Sequence, residues 1–130
     1  MTRKLLDLAV RFARFGAVLS LAATVTAMLV PGQDLPEDLP PDLALHAVGF
    51  GVPALLAVFA ARKGHGPLIA VTLIAVAAVA SEVAQALVPG RTVSALDIGA
   101  DLLGIALGAL FGRMLRLLLL AIAEAPRGQS

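Results

Sequence analysis

The chain has 130 residues, 59% hydrophobic and 15% charged, with a formal net charge of +1 and no cysteine, tryptophan or tyrosine. A soluble domain carries about a quarter charged residues, so this composition, with a mean hydropathy of +0.94, excludes an ordinary water-soluble globule and points to lipid. Without cysteine there is no disulfide framework and no thiolate chemistry. The cationic residues are scattered at the edges of apolar runs, and Phe12 alone is interleaved within a basic segment, which argues against a nucleic-acid surface.

Four apolar runs fit the roughly 30 Å hydrocarbon core of a bilayer, each needing about 17 to 25 residues with few charges. They cover residues 15–30, 43–61, 68–88 and 94–113. Each is a continuous run of Ala, Leu, Val and Ile without the polar alternation of a transmembrane strand, so the spans are predicted to be helices. Arg3, Lys4, Arg11 and Arg14 precede the first run. A signal peptide cleaved after Val25-Thr26-Ala27 is the alternative there, but the charged preface is long for one and cleavage would leave an odd remnant. The loop PGQDLPEDLPPDL, residues 31–43, is acidic and punctuated by proline, which predicts an irregular connector ending where Pro41-Asp42 opens the second helix. RKGHGP, residues 62–67, reads as a tight turn whose glycines end one helix and whose Pro67 starts the next, with His65 a bystander. The connection PGRTV, residues 89–93, is short enough to make the third and fourth helices neighbours. Beyond Arg113 the run LRLLLLAIAEAP continues as a helix, with Arg113 and Arg116 snorkelling to headgroups.

The predicted fold is therefore all-α: a polytopic membrane protein, a four-helix transmembrane bundle forming one domain over residues 1–130. Arg3, Lys4, Arg11, Arg14, Arg62, Lys63, Arg113, Arg116 and Arg127 fall on one side of it, whereas Asp34, Glu37, Asp38 and Asp42 face the other, with Arg91 their single basic neighbour. The positive-inside rule makes the basic side, and both termini, cytoplasmic.

Helices in lipid associate through close backbone approach, so stripes of small residues mark contact faces. Gly104, Gly108 and Gly112 form such a stripe on the fourth helix; Gly16, Ser20, Ala23 and Ala27 on the first; Gly49, Ala57 and Ala60 on the second; Ala75, Ala78 and Ala86 on the third. At about 100° per residue, Asp97 and Asp101 share the arc of the fourth helix's glycines, Glu82 and Gln85 that of Ala78 and Ala86, and His46 that of Gly49. His46, Glu82, Gln85, Arg91, Asp97 and Asp101 are therefore predicted to converge as a polar pocket open to the extracytoplasmic side. Bland readings exist for several of them. Asp97 follows Ser94 as in a capping box, Asp42 suits a helix dipole, and Gln85 serves equally as glue between helices. Arg91 is placed either to hold a lipid phosphate or to pair with Asp97 or an anionic ligand. Glu82 resists a bland account, because a carboxyl inside an apolar helix has to be protonated, paired with His46 or Arg91, or wetted.

The ordered segments DLALHAVGF, SEVAQALVPGR and SALDIGADLLGIALG resemble the VanZ-like membrane proteins over residues 42–112. That family is similar in small size and helical spans, and its motif is a histidine with an aromatic four residues on, then E-x-x-Q, an arginine, and D-x-x-x-N-x-x-G-x-x-x-G. His46, Phe50, Glu82, Gln85, Arg91, Asp97, Gly104 and Gly108 fall on those positions, and Asp101 departs from the pattern by standing where the family has asparagine. The resemblance implies a bacterial cell-envelope protein of the inner membrane, with a link to glycopeptide resistance in the founding member and no established mechanism.

The leading expectation is binding or remodelling of an anionic lipid or lipid-linked envelope precursor, with Arg91 and Gln85 on the headgroup and Glu82 with His46 setting its protonation. The partners expected are membrane lipids, with a homo-oligomer or a partner membrane protein as further options, and no nucleic acid. No cofactor and no metal are expected: a metal variant with His46, Glu82, Asp97 and Asp101 as ligands is chemically possible, but their spacing matches no specific site. Alternatives are an enzyme using Glu82 and His46 in acid–base chemistry, a proton-coupled oligomeric transporter, and a structural subunit. Ser81 and Ser94 lack the context of a nucleophile elbow.

Overall fold

A computed structural model describes residues 3–34, 36, 38 and 42–125. Glu37, Pro41 and Arg127, used above for charge asymmetry and helix opening, lie outside the described residues, as does Pro126 at the end of the last apolar run. The described chain is all-helical, with α1 at Arg3–Met28, α2 at Asp42–Ala60, α3 at Gly66–Gln85 and α4 at Ala95–Glu124, and a single 3-10 turn at Gly32–Asp34. All four helices are long and apolar enough to cross a membrane.

The helices exceed the apolar runs at the basic end. α1 begins at Arg3, so the charged preface is its first turns, and α4 runs without a break to Glu124. At 1.5 Å per residue these two helices are about 39 and 45 Å long, against roughly 30 Å of hydrocarbon. The outer surface is apolar: Phe12, Phe15, Val18, Leu73, Val83 and Leu96 are all more than half exposed. In water such a surface would drive aggregation.

α2 is the central helix, packed chiefly on α4 and next on α1. The two partners α2 and α4 run parallel, and glycine makes their joint. A Cβ on Gly104 would collide with the carbonyl of Ala47, one on Gly108 with the carbonyl of Gly51, and one on Gly112 with the carbonyl of Leu55. The register advances in four-residue steps on both helices, placing the backbone of α2 against the glycine ridge of α4. The small-residue stripe of α1 behaves differently, because Ala23 and Ala27 are exposed and line a groove instead of a joint. Ala86 is exposed just past the end of α3.

Pro53 lies inside α2 and cannot donate to the carbonyl of Gly49, four residues back. The hydroxyl of Thr24 on α1 donates to that carbonyl at 2.8 Å, so the α1–α2 contact repairs the helix it touches. At the basic end the last carbonyls of α2 meet two arginines: Arg14 Nε donates to Ala60 O at 3.3 Å, and Arg116 Nη1 donates to Phe59 O. Arg116 thus caps a neighbouring helix where snorkelling to headgroups was expected, because a helix C-terminus offers orphan carbonyls within its reach. Arg113 stays exposed beside Lys63 along a groove of about 510 Å3.

Candidate functional site

Every helix contributes one terminus to the opposite, acidic end: α1 and α3 finish there, α2 and α4 begin there. Ser94 caps α4, its hydroxyl accepting from the Leu96 N–H at 3.2 Å, which sets Asp97 in the first turn and Asp101 one turn deeper. His46 stands one turn inside α2 and Glu82 near the end of α3. The glycine joint draws α2 and α4 together at this depth, and His46 Nδ1 meets Asp101 Oδ1 at 2.9 Å. Glu82 Oε1 lies 3.5 Å from the same nitrogen. His46 and Glu82 are 1% exposed and Asp101 0%.

This triad is incompletely satisfied. Among the described residues, neither oxygen of Glu82 nor Oδ2 of Asp101 has a hydrogen-bond partner. Native interiors pair nearly all such atoms, so three orphan carboxylate oxygens in one place need an account. With both carboxyls ionised, one imidazolium would offset only one of the two charges.

Gln85 and Arg91 take another direction. Gln85 Nε2 donates to the carbonyl of Met28 at 2.9 Å, and Arg91 donates to Val30 O at 3.1 Å and Ala27 O at 3.4 Å. Together they clasp the C-terminus of α1, and the clasp is tightened by Gly32 N–H donating to Pro89 O at 3.3 Å. Gly90, at φ +74°, makes the turn that brings Arg91 back over α1. Among the described residues, Arg91 makes its one carboxylate contact with Asp42, at 4.0 Å.

Above the triad is a chamber of about 90 Å3 lined by Asp42, His46, Gln85, Arg91, Thr92 and Asp97. Glu82 and Asp101 are absent from its lining, so the expected pocket divides into an accessible polar chamber and a sealed triad joined by His46. Beside the chamber, the groove left open by Ala23 and Ala27 holds about 700 Å3 between α1 and α2, with Thr24, Leu45 and Val48 in its wall. Asp42, Gly90 and Arg91 line both spaces. Sequence reasoning missed Thr24 and Met28. Pro53 inside an apolar run was a usable signal for the first, because it announces an orphan carbonyl; Met28 acts through its carbonyl and left no signal.

No protein-family model, curated protein or solved structure matches this chain.

Proposed function

We propose that this is a multi-pass protein of the bacterial cytoplasmic membrane, with both termini cytoplasmic, that binds a phosphate-bearing amphiphile at its outer leaflet. The observation that carries the reading is the continuity of two unlike spaces: an apolar groove of about 700 Å3 and a polar chamber of about 90 Å3 share Arg91, Asp42 and Gly90. An acyl or prenyl chain in the groove places its headgroup at Arg91. The guanidinium has donors left after its two carbonyl bonds, and a phosphate is their natural acceptor. Asp42 and Asp97 face the same chamber, which favours a headgroup that brings a cation of its own. The membrane orientation is supported by Arg3, Lys4, Arg11, Arg14, Arg62, Lys63, Arg113 and Arg116 at the opposite end.

The VanZ-like assignment remains part of this proposal and is motivated by the motif residues alone. An envelope precursor carried on a lipid phosphate is the ligand class that assignment adds.

The test is native mass spectrometry of gently extracted protein offered phosphatidylethanolamine, phosphatidylglycerol or a polyprenyl monophosphate. Wild type is expected to retain one class selectively, and to lose it in Ala23→Trp, which fills the groove, and in Arg91→Ala, which removes the cation. Equal retention of all three probes by all three proteins would sink the reading.

A further inference from the structure

The sealed triad is not needed to hold an amphiphile, and its chemistry points elsewhere. His46, Glu82 and Asp101 come from α2, α3 and α4, and one donor atom from each lies within 4.8 Å of the other two. Among the described residues, three carboxylate oxygens around them have no hydrogen-bond partner, although the side chains are nine-tenths or more buried. A water could donate to two of those oxygens and would bring no charge. A divalent cation supplies an acceptor for every orphan lone pair and cancels two carboxylates beside a neutral imidazole.

We propose that His46, Glu82 and Asp101 bind one divalent first-row transition-metal ion. The donor set of one imidazole and two carboxylates suits manganese or zinc, being too rich in oxygen for a soft ion and too rich in nitrogen for calcium. The spacing fits as well. Metal–ligand bonds of about 2.0 to 2.2 Å put neighbouring donors about 2.8 to 3.6 Å apart in octahedral or tetrahedral sites. The two contacts of His46 Nδ1, at 2.9 and 3.5 Å, fall within that range. His46 and Asp101 stand on helices locked by the Gly104 and Gly108 contacts, so two of the three ligands are held in place in advance of the ion. Asp42 and Asp97 form a second group around His46, but Asp42 is 61% exposed and the orphan oxygens all belong to Glu82 and Asp101. The competing arrangement is a carboxylic acid bonded to its neighbour, which holds no ion.

The experiment strips detergent-purified full-length protein with EDTA, offers Mn2+ or Zn2+ alone, desalts it, and counts bound metal by elemental mass spectrometry. Wild type is expected to hold about one ion per chain and to gain thermal stability from it. Glu82→Gln and Asp101→Asn, which keep side-chain shape, should each weaken the apparent Kd by at least the ~10-fold that loss of an outer-shell partner costs, and should lose the thermal gain. Asp42→Asn should bind as wild type does. Wild type that retains neither ion overturns the proposal without recourse to any variant. So does wild-type affinity in both Glu82→Gln and Asp101→Asn, and so does a loss confined to Asp42→Asn. Ala23→Trp leaves all three ligands in place, so failure here and failure of the lipid reading are separable.

Discussion

The two ends of the bundle meet the same requirement with the same side chain and then part company. At the basic end Arg14 and Arg116 satisfy the last carbonyls of α2; at the acidic end Arg91, with Gln85, satisfies those of α1. Each arginine closes a helix terminus that apolar surroundings would otherwise leave open. Beneath the basic clasp lie Leu6, Ala13, Phe59 and Ala60, an ordinary apolar cluster. Beneath the acidic clasp lie His46, Glu82 and Asp101 with three orphan oxygens. Closing a helix end therefore does not call for a buried ionisable triad, and the acidic end carries groups that folding alone does not explain.

The strongest way to break this comparison is to remove the imidazole from the triad. His46→Leu leaves two carboxylates facing each other in an apolar interior, and loss of one partner from a buried ion pair costs about 3–5 kcal/mol. Replacing all three groups, as His46→Leu with Glu82→Met and Asp101→Leu, is expected to restore wild-type stability or exceed it by about 1–4 kcal/mol, because no charge is left to desolvate. Unfolding both variants in mixed detergent gives the answer. A triple variant as unstable as the single one would mean that the triad is part of the scaffold, and the contrast between the two ends would collapse.

The clasps themselves sharpen the comparison at a smaller scale. Arg116→Met keeps the apolar stem and removes the donor to Phe59 O, at an expected cost of about 1–3 kcal/mol for a charged hydrogen bond to a sheltered carbonyl. That loss should be seen in thermal unfolding with metal and lipid binding intact, since Arg116 is at the far end from the triad. A change in ligand binding without a change in stability would show that the basic end is more than a clasp.

The helices were legible in the sequence because each contains an uninterrupted apolar run long enough to cross a bilayer. Their ends were less so. Hydropathy locates hydrocarbon, whereas Arg3 to Arg14 and the segment past Arg113 are helical without being confined to it. The glycine ridge was readable as a contact face, yet nothing in a glycine names its partner, and its seat on the backbone of α2 emerged only in three dimensions. In the site, arc and depth sufficed to gather His46, Glu82 and Asp101. They did not place Gln85 and Arg91, whose partners are the carbonyls of Ala27, Met28 and Val30, because every residue has a carbonyl and sequence pattern carries no mark of which one is free.

Thr24 is the exception, a side-chain-to-carbonyl bond whose partner the sequence does identify. Pro53 deletes the donor for Gly49 O, and Thr24 is bonded to that oxygen at 2.8 Å. Interhelical bonds of this kind in membranes average about 0.6 kcal/mol and reach about 1.7, so Thr24→Val should cost about that much. The sharper expectation is in the cycle. In a Pro53→Ala background the Gly49 carbonyl regains an N–H from its own helix, and Thr24→Val should then cost measurably less than it does with proline present. Equal costs in the two backgrounds would mean that Thr24 contributes packing against Gly49 and not a repair of the helix. That outcome would also weaken the view that the wall of the groove is held by α1 mending α2, since Thr24 and Gly49 both line it.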